Sequence, residues 1–208
     1  MPDSIQYVEQ LRRELNNKLA EFGEDHSEVL KATLRLAQAL HDNGMNDEAF
    51  GLAQSLLSRQ CCILGTNSYE ALRTLHLLAS ILYSQGQYES SLQLFSGLVN
   101  VLRREYPEND GAQLAALQGM AMTLRQRNNY ERDYDQIHRV LHQISQLQCR
   151  VSGNDSISYF RALCDFVALE KAVGHNREMR FAARGAYAAI PKIALRLVSP
   201  SRWKRRVK

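Results

Sequence analysis

A repetition with a period of 42 residues constrains this chain more than any other feature of its sequence. The anchors that recur in step are Gly23 and Gly65, Ala37 and Ala79, and Gly44 and Gly86. A third copy of the pattern continues at Ala121 and Asn128. A fixed period of this length indicates stacked helical repeats, because one such unit cannot bury its apolar face without its neighbours.

Within each repeat, apolar residues recur at three- and four-residue intervals, which predicts amphipathic helices. The first helix of a repeat should end at Gly44 or Gly86, because glycine accepts the left-handed backbone that reverses the chain. Ala37, Ala79 and Ala121 are expected where the paired helices approach closely. The predicted helices span 4–21, 27–43, 46–62, 69–85, 88–104, 111–127, 130–148, 156–173 and 176–197, and no strand is expected.

The repeats predict one all-α domain over residues 1–198, an α-solenoid of about four helical hairpins. Helix 4–21 matches the second helix of a hairpin that lacks its first helix, so it is interpreted as an N-terminal cap. The fourth repeat needs an insertion, which we place in the loop at 150–155. The expected repeats span about 22–63, 64–105, 106–152 and 153–198, and residues 199–208 are expected to form a flexible basic tail.

Charge is distributed unevenly along the chain. Nine of the 26 basic residues and none of the 22 acidic residues lie from Arg180 onward, so the body carries about −5 and the last segment about +9. Such a tail can attract nucleic acid or anionic lipid, or it can be a solubilising segment or one that docks on the acidic body. The tail residues proposed to bind a polyanion are Arg202, Trp203, Lys204, Arg205, Arg206 and Lys208.

Several residue types that can carry chemistry favour structural interpretations here. His26, Ser68 and Asp110 occupy the same place in successive repeats, so this position is predicted to hold a capping or loop residue near a helix start. His138 and His142 could share a metal, but the spacing indicates no third ligand, and a solvated helix face is the preferred interpretation. The four cysteines, Cys61, Cys62, Cys149 and Cys164, lack C-x-x-C spacing and are interpreted as reduced, buried small residues. No cofactor, metal site or catalytic motif is expected.

The repeats resemble tetratricopeptide (TPR) repeats of the 42-residue kind seen in kinesin light chain. The shared pattern is Gly-x-x-His at the start of a repeat, Leu-Ala late in its first helix and Gly-x-Tyr at its turn. In the first repeat Gly23, His26, Leu36, Ala37 and Gly44 carry it, and in the second Gly65, Leu78, Ala79, Gly86 and Tyr88.

The resemblance implies a right-handed superhelix whose first helices line a concave groove for peptides or helices of other proteins. The groove residues that it implies are Lys31, Arg35, Gln38, Arg73, His76, Leu77, Gln118, Arg125, Arg161 and Asp165. The paired asparagines of kinesin light chain are absent at Leu34 and Arg35, so its cargo is not carried over to this chain.

These observations predict a non-enzymatic protein–protein interaction module, a scaffold, adaptor or assembly chaperone that binds an acidic or amphipathic segment. The alternative is a nucleic-acid-associated factor that uses the basic C-terminal segment while its repeats recruit partners. The chain shows no apolar run long enough for a membrane span and no secretory signal, so a cytoplasmic location is expected.

Overall fold

The computed structural model describes residues 2–127 and 130–152, with side chains from 5 to 127 and from 133 to 151. Every regular element in these stretches is an α-helix, and they contain no strand. Within them, no helix combines the length and the apolar character that crossing a membrane requires. The helices are α1 (Pro2–Phe22), α2 (Ser27–Asp42), α3 (Asn46–Leu64), α4 (Tyr69–Ser84), α5 (Tyr88–Glu105), α6 (Asp110–Arg127) and α7 (Tyr130–Ser152).

The chain divides into two compact units, Met1–Pro107 and Glu108–Lys208. In the first unit α1 packs on α2, α2 on α3, α3 on α4 and α4 on α5, and α2 also contacts α4. In the second unit α6 packs on α7. The contact between α2 and α4 means that the first helices of two successive hairpins lie side by side.

The predicted helices between residues 4 and 148 are confirmed, with ends that agree to within four residues. The largest difference is at α7, which continues to Ser152; in its last turn Arg150 Nη2 lies 2.9 Å from Asp110 Oδ1 at the start of α6. The predicted helices 156–173 and 176–197, the fourth repeat and the tail lie outside the described residues.

Glycine turns close both hairpins of the first unit, as predicted. Gly44 has φ +77°, and its N–H donates to the carbonyl of His41 at 2.9 Å. The N–H of Met45 donates to the carbonyl of Leu40, also at 2.9 Å. These two bonds define a Schellman motif, and the same pair recurs at Gly86, where φ is +76°.

The starts of the first helices are capped by side chains. His26 Nδ1 and Ser68 Oγ each accept a hydrogen bond from a main-chain N–H of the following helix, at 3.3 and 3.4 Å, which confirms their predicted role. The prediction that Asp110 takes this place is wrong. Asn109 Oδ1 accepts from the N–H of Ala112 at 3.1 Å, and Asp110 is instead the first residue of α6.

The small residues expected at close helix approaches are buried: Ala37 and Ala79 are fully buried and Ala121 nearly so. The prediction that the cysteines are buried is wrong for Cys62 and Cys149, which are exposed, and for Cys61, which is only partly buried; Cys164 lies outside the described residues. Cys62 and Cys149 lie outside the apolar stripes of their helices.

A second buried position recurs one turn into the second helix of each hairpin, but its chemistry changes. Ala49 fills it in α3 as a fully buried methyl group. In α5 it is Ser91, whose Oγ donates to the carbonyl of Ala79 at 2.8 Å. In α7 it is Asp133, which is 3% exposed and accepts from the guanidinium of Arg127 through both carboxylate oxygens, with Nε at 2.8 Å from Oδ2.

Candidate binding cleft

The first unit contains a cleft of about 510 Å³ bounded by α2, the end of α3 and the start of α4. Four of the predicted groove residues line it together: Lys31, Arg35 and Gln38 from α2, and Arg73 from α4. The three α2 residues lie four and three positions apart, which places them on one face of the helix. The structure therefore brings residues from two repeats to one concave site.

The cations of α2 belong to a network of ion pairs with α1. Lys31 Nζ lies 3.0 Å from Glu28 Oε1, and Arg35 Nη1 lies 3.7 Å from Glu14 Oε1. Lys18 bridges the same two carboxylates, at 3.1 Å from Glu14 and 3.2 Å from Glu28. The pKa of the Glu28 carboxyl is lowered, most strongly by the hydrogen bond from Lys31 and next by the one from Lys18. Because Lys31 and Arg35 remain exposed, these pairs contribute little to stability and leave both cations accessible to a ligand.

Arg73 is the least engaged cation of the cleft. Its side chain is exposed, and among the residues that the structure describes it has no ion-pair partner. The carboxylates that line the cleft are Asp25 and Glu70, and Asp25 is already paired with Arg59 at 3.2 Å. The guanidinium of Arg73 is therefore available for a carboxylate brought by a ligand.

The end of α3 contributes a buried amide and an apolar rim that the sequence did not predict. Gln60 lines the cleft although it is 2% exposed, and its Oε1 accepts from Thr74 Oγ1 at 2.7 Å. Ile63 and Leu64 also line the cleft and are 45% and 46% exposed. The resemblance assigned the groove to first helices only. The sequence signal that could have revealed this rim is the pair of apolar residues at 63 and 64, which follow the buried stripe of α3.

The other predicted groove residues that the structure describes do not line this cleft. His76 packs edge-on against Phe95 of α5, with ring centroids 5.5 Å apart. Leu77 is buried in the core of the first unit. Gln118 and Arg125 are exposed on α6 in the second unit. Arg161, Asp165 and the tail residues from Arg202 to Lys208 lie outside the described residues.

The histidines of α7 contact residues of their own helix. His138 lies against the ring of Tyr134 at a centroid distance of 5.7 Å, and His142 Nε2 lies 2.9 Å from Gln146 Nε2. Within the part of the chain that the structure describes, no three His, Cys, Asp or Glu side chains are grouped so that they could hold a metal ion.

The sequence matches no protein-family model and no curated protein sequence. Solved structures do match the fold. The nearly identical TPR-like repeats of a kinesin light chain-like protein from Podospora anserina superpose with a TM-score of 0.74 at 18% identity, over 91% of this chain and 88% of that one. The chain has a TPR-like fold. Its predicted class, an all-α TPR-like solenoid, is thereby confirmed.

Two further structures agree with this assignment. A form of the Podospora repeats that carries a single substitution gives a TM-score of 0.73 at 18% identity, over 89% of this chain and 86% of that one. BtubC (BKLC) from P. vanneervenii gives 0.65 at 15% identity, over 90% of this chain and 71% of that one. At these identities the likeness shows the fold alone.

Proposed function

We propose that this protein is a non-catalytic interaction module whose first-unit cleft binds an acidic or amphipathic segment of another protein. The observation that carries the proposal is the convergence of Lys31, Arg35 and Arg73 on one concave site, next to the exposed side chains of Ile63 and Leu64. The likeness to TPR-like repeats, including those of a kinesin light chain-like protein, supports a role of this kind.

The cleft offers a ligand two kinds of contact. The cations favour carboxylates, and an arginine can hold a carboxylate through two parallel hydrogen bonds. Charge complementarity of this kind steers association and rejects ligands of the wrong sign. The apolar rim can bury a leucine-sized side chain, which adds affinity that salt does not screen. A scaffold, adaptor or assembly chaperone would use such a site to hold one partner while the rest of the chain holds another.

The proposal is tested with a display library of short random peptides selected on the full chain. We expect the enriched peptides to be acidic and to lose at least about tenfold in affinity on Arg35→Glu/Arg73→Glu, because like charges then face each other. The helical signal in far-ultraviolet circular dichroism should not change. Arg13→Glu/Arg104→Glu is the matched control, since both of these exposed cations lie outside the cleft. Enriched peptides without acidic residues, or equal binding by the cleft variant, would contradict the proposal.

The alternative, a nucleic-acid-associated factor, is supported by the concentration of positive charge from Arg180 onward. Binding that releases counterions falls steeply between roughly 50 and 200 mM salt, and each lost phosphate contact lowers the salt slope by about one unit. Titration of RNA, DNA and anionic vesicles onto the full chain and onto a chain ending at Ser199 separates this role from the cleft. Polyanion binding that does not change on truncation would remove the alternative.

A further inference from the structure

The floor of the cleft holds a polar group that the described chain satisfies only in part. Gln60 is 2% exposed and lines the cleft, and its amide oxygen accepts from Thr74 Oγ1 at 2.7 Å. Within the described residues its Nε2 has no acceptor. Nε2 is not sealed from solvent, so it stays open to the cleft. A ligand that accepts from Nε2 and covers the amide replaces water with a hydrogen bond shielded from solvent.

Thr74 fixes the position of this amide. It is fully buried, and its hydroxyl lies 2.7 Å from Gln60 Oε1 and 3.2 Å from the carbonyl of Glu70 in the preceding turn of its own helix. One end of the amide is therefore held by the protein, and the other end is left to the cleft. In the flipped orientation of this amide, its oxygen would face the cleft and would accept from a ligand N–H, whereas Nε2 in the present orientation donates to a ligand carbonyl.

We propose that Gln60 recognises the main chain of an extended acidic segment, an inference that rests on the proposed function of the cleft. Either end of the amide matches a main-chain group of an extended peptide, whose carbonyls and N–H groups are free. A helical ligand has these groups engaged in its own backbone bonds except in its terminal turns. The amide thus favours an extended ligand over a helical one, and the cations of the cleft favour an acidic one.

The surroundings of Gln60 fit such a segment. Successive side chains of an extended peptide point to opposite sides, so a main chain seated over Gln60 presents alternate residues to the two walls of the cleft. The cations that line the cleft are Lys31 of α2 and Arg73 of α4, and Ile63 and Leu64 of α3 form its apolar rim. The expected pattern is an acidic residue next to an aliphatic one.

The test uses the selected acidic peptide in three forms: unmodified, with single main-chain amides replaced by esters, and cross-linked into a helix. On the unaltered protein, we expect one ester position to raise the Kd by about 3- to 10-fold, the effect of one hydrogen bond. The helical form should bind more weakly than the unmodified peptide. These measurements need no protein variant, so they hold even if a substitution at Gln60 disturbs folding.

The assignment to Gln60 comes from combining the ester with Gln60→Leu. The variant should weaken the unmodified peptide by about 3- to 10-fold. It should also make the sensitive ester position neutral, because both changes act on the same bond: an ester lacks the N–H, and its carbonyl is a weaker acceptor. Gln54→Leu, on an exposed position of the same helix, should change neither value. Equal or tighter binding of the helical form, or an ester effect that persists in Gln60→Leu, would overturn the inference. Loss of binding in Arg35→Glu/Arg73→Glu would still support the cleft in that case, so the two failures are distinguishable.

Discussion

The two units of the chain build the same kind of helical hairpin with different buried chemistry. In the first unit the position after the turn is Ala49 or Ser91, a methyl group or a hydroxyl bonded to a carbonyl. In the second unit it is Asp133, a buried carboxylate paired with Arg127. The repeat therefore keeps the spacing and burial of this position, while its polar group can change as long as a partner satisfies it.

The largest expected effect comes from breaking the ion pair of the second unit. Asp133→Ala removes the buried carboxylate that faces the Arg127 cation, which is 16% exposed, and we expect a loss of about 3 kcal/mol in the free energy of unfolding. Ser91→Ala, at the same position of the first unit, should cost only about 1 kcal/mol. Denaturant unfolding measures both.

Replacing the whole pair sharpens this contrast. Arg127→Met/Asp133→Leu removes both charges and should recover most of the stability that Asp133→Ala loses. If Asp133→Ala lowers the free energy of unfolding no more than Ser91→Ala does, the buried carboxylate is no more important to stability than the buried hydroxyl of the first unit.

The next effect concerns the close approach of paired helices. Ala79 in the first unit is fully buried, whereas Ala121 in the second is 7% exposed. Ala79→Leu should overpack the hairpin and cost about 1 to 3 kcal/mol. We expect Ala121→Leu to cost less, because its site is slightly more open. A denaturant midpoint unchanged in Ala79→Leu would show that this position is not an interhelical contact.

Glycine substitutions in the first unit should change stability in opposite directions. Gly44 has φ +77°, so Gly44→Ala should destabilise by about 1 kcal/mol. Gly51 lies inside α3, and a Cβ there meets no atom within 4 Å. Gly51→Ala should therefore stabilise by roughly 0.5 to 1 kcal/mol. Thermal melts of the two variants side by side measure this, and shifts of the same sign would refute the turn assignment.

The smallest expected effect is a pH dependence of the α1–α2 contact. The pKa of Glu28 is lowered below its ordinary 4.5 by hydrogen bonds from Lys31 and Lys18. The contribution of the ionised carboxylate is thus complete above that value and is lost as the pH falls through the lower folded-state pKa. Glu28→Gln should flatten the dependence of Tm on pH in this acidic range. Because the pairs are exposed, high salt should shrink the difference, and a Glu28→Gln profile identical to that of the unaltered chain would show that these pairs contribute nothing.

The sequence predicted the helices of residues 2–127 and 130–152 well because the signals for them are local. Apolar periodicity marks these helices within a few residues, the glycine turns mark those of the first unit, and the recurrence at 42 residues checks the assignment. The 42-residue repeat did not predict burial: Arg35 is exposed, whereas Leu77, which occupies the equivalent position in the next repeat, lies in the core. The start of α6 likewise depends on Asn109, which caps the helix so that Asp110 becomes its first residue. Comparison of equivalent positions in successive repeats does not detect such an effect of a neighbouring residue.

The cleft could be predicted only in part. Four of its residues follow from the resemblance, which assigns one face of each first helix to the groove. Gln60, Ile63 and Leu64 could not be found in this way, because they reach the cleft through the packing of α3 against α4. A contact between the side chains of Gln60 and Thr74, fourteen residues apart, is a tertiary event that periodicity does not encode.

The central claim, that the first-unit cleft is the binding site, is tested most directly by equilibrium titration of a selected acidic peptide onto three chains. These are the full chain, a chain ending at Ser199, and the full chain carrying Arg35→Glu/Arg73→Glu. We predict an unchanged Kd for the chain ending at Ser199 and a loss of at least about tenfold for the charge-reversed one. An unchanged Kd in the charge-reversed chain, together with a loss on truncation, would contradict the claim and place the binding site in the basic segment.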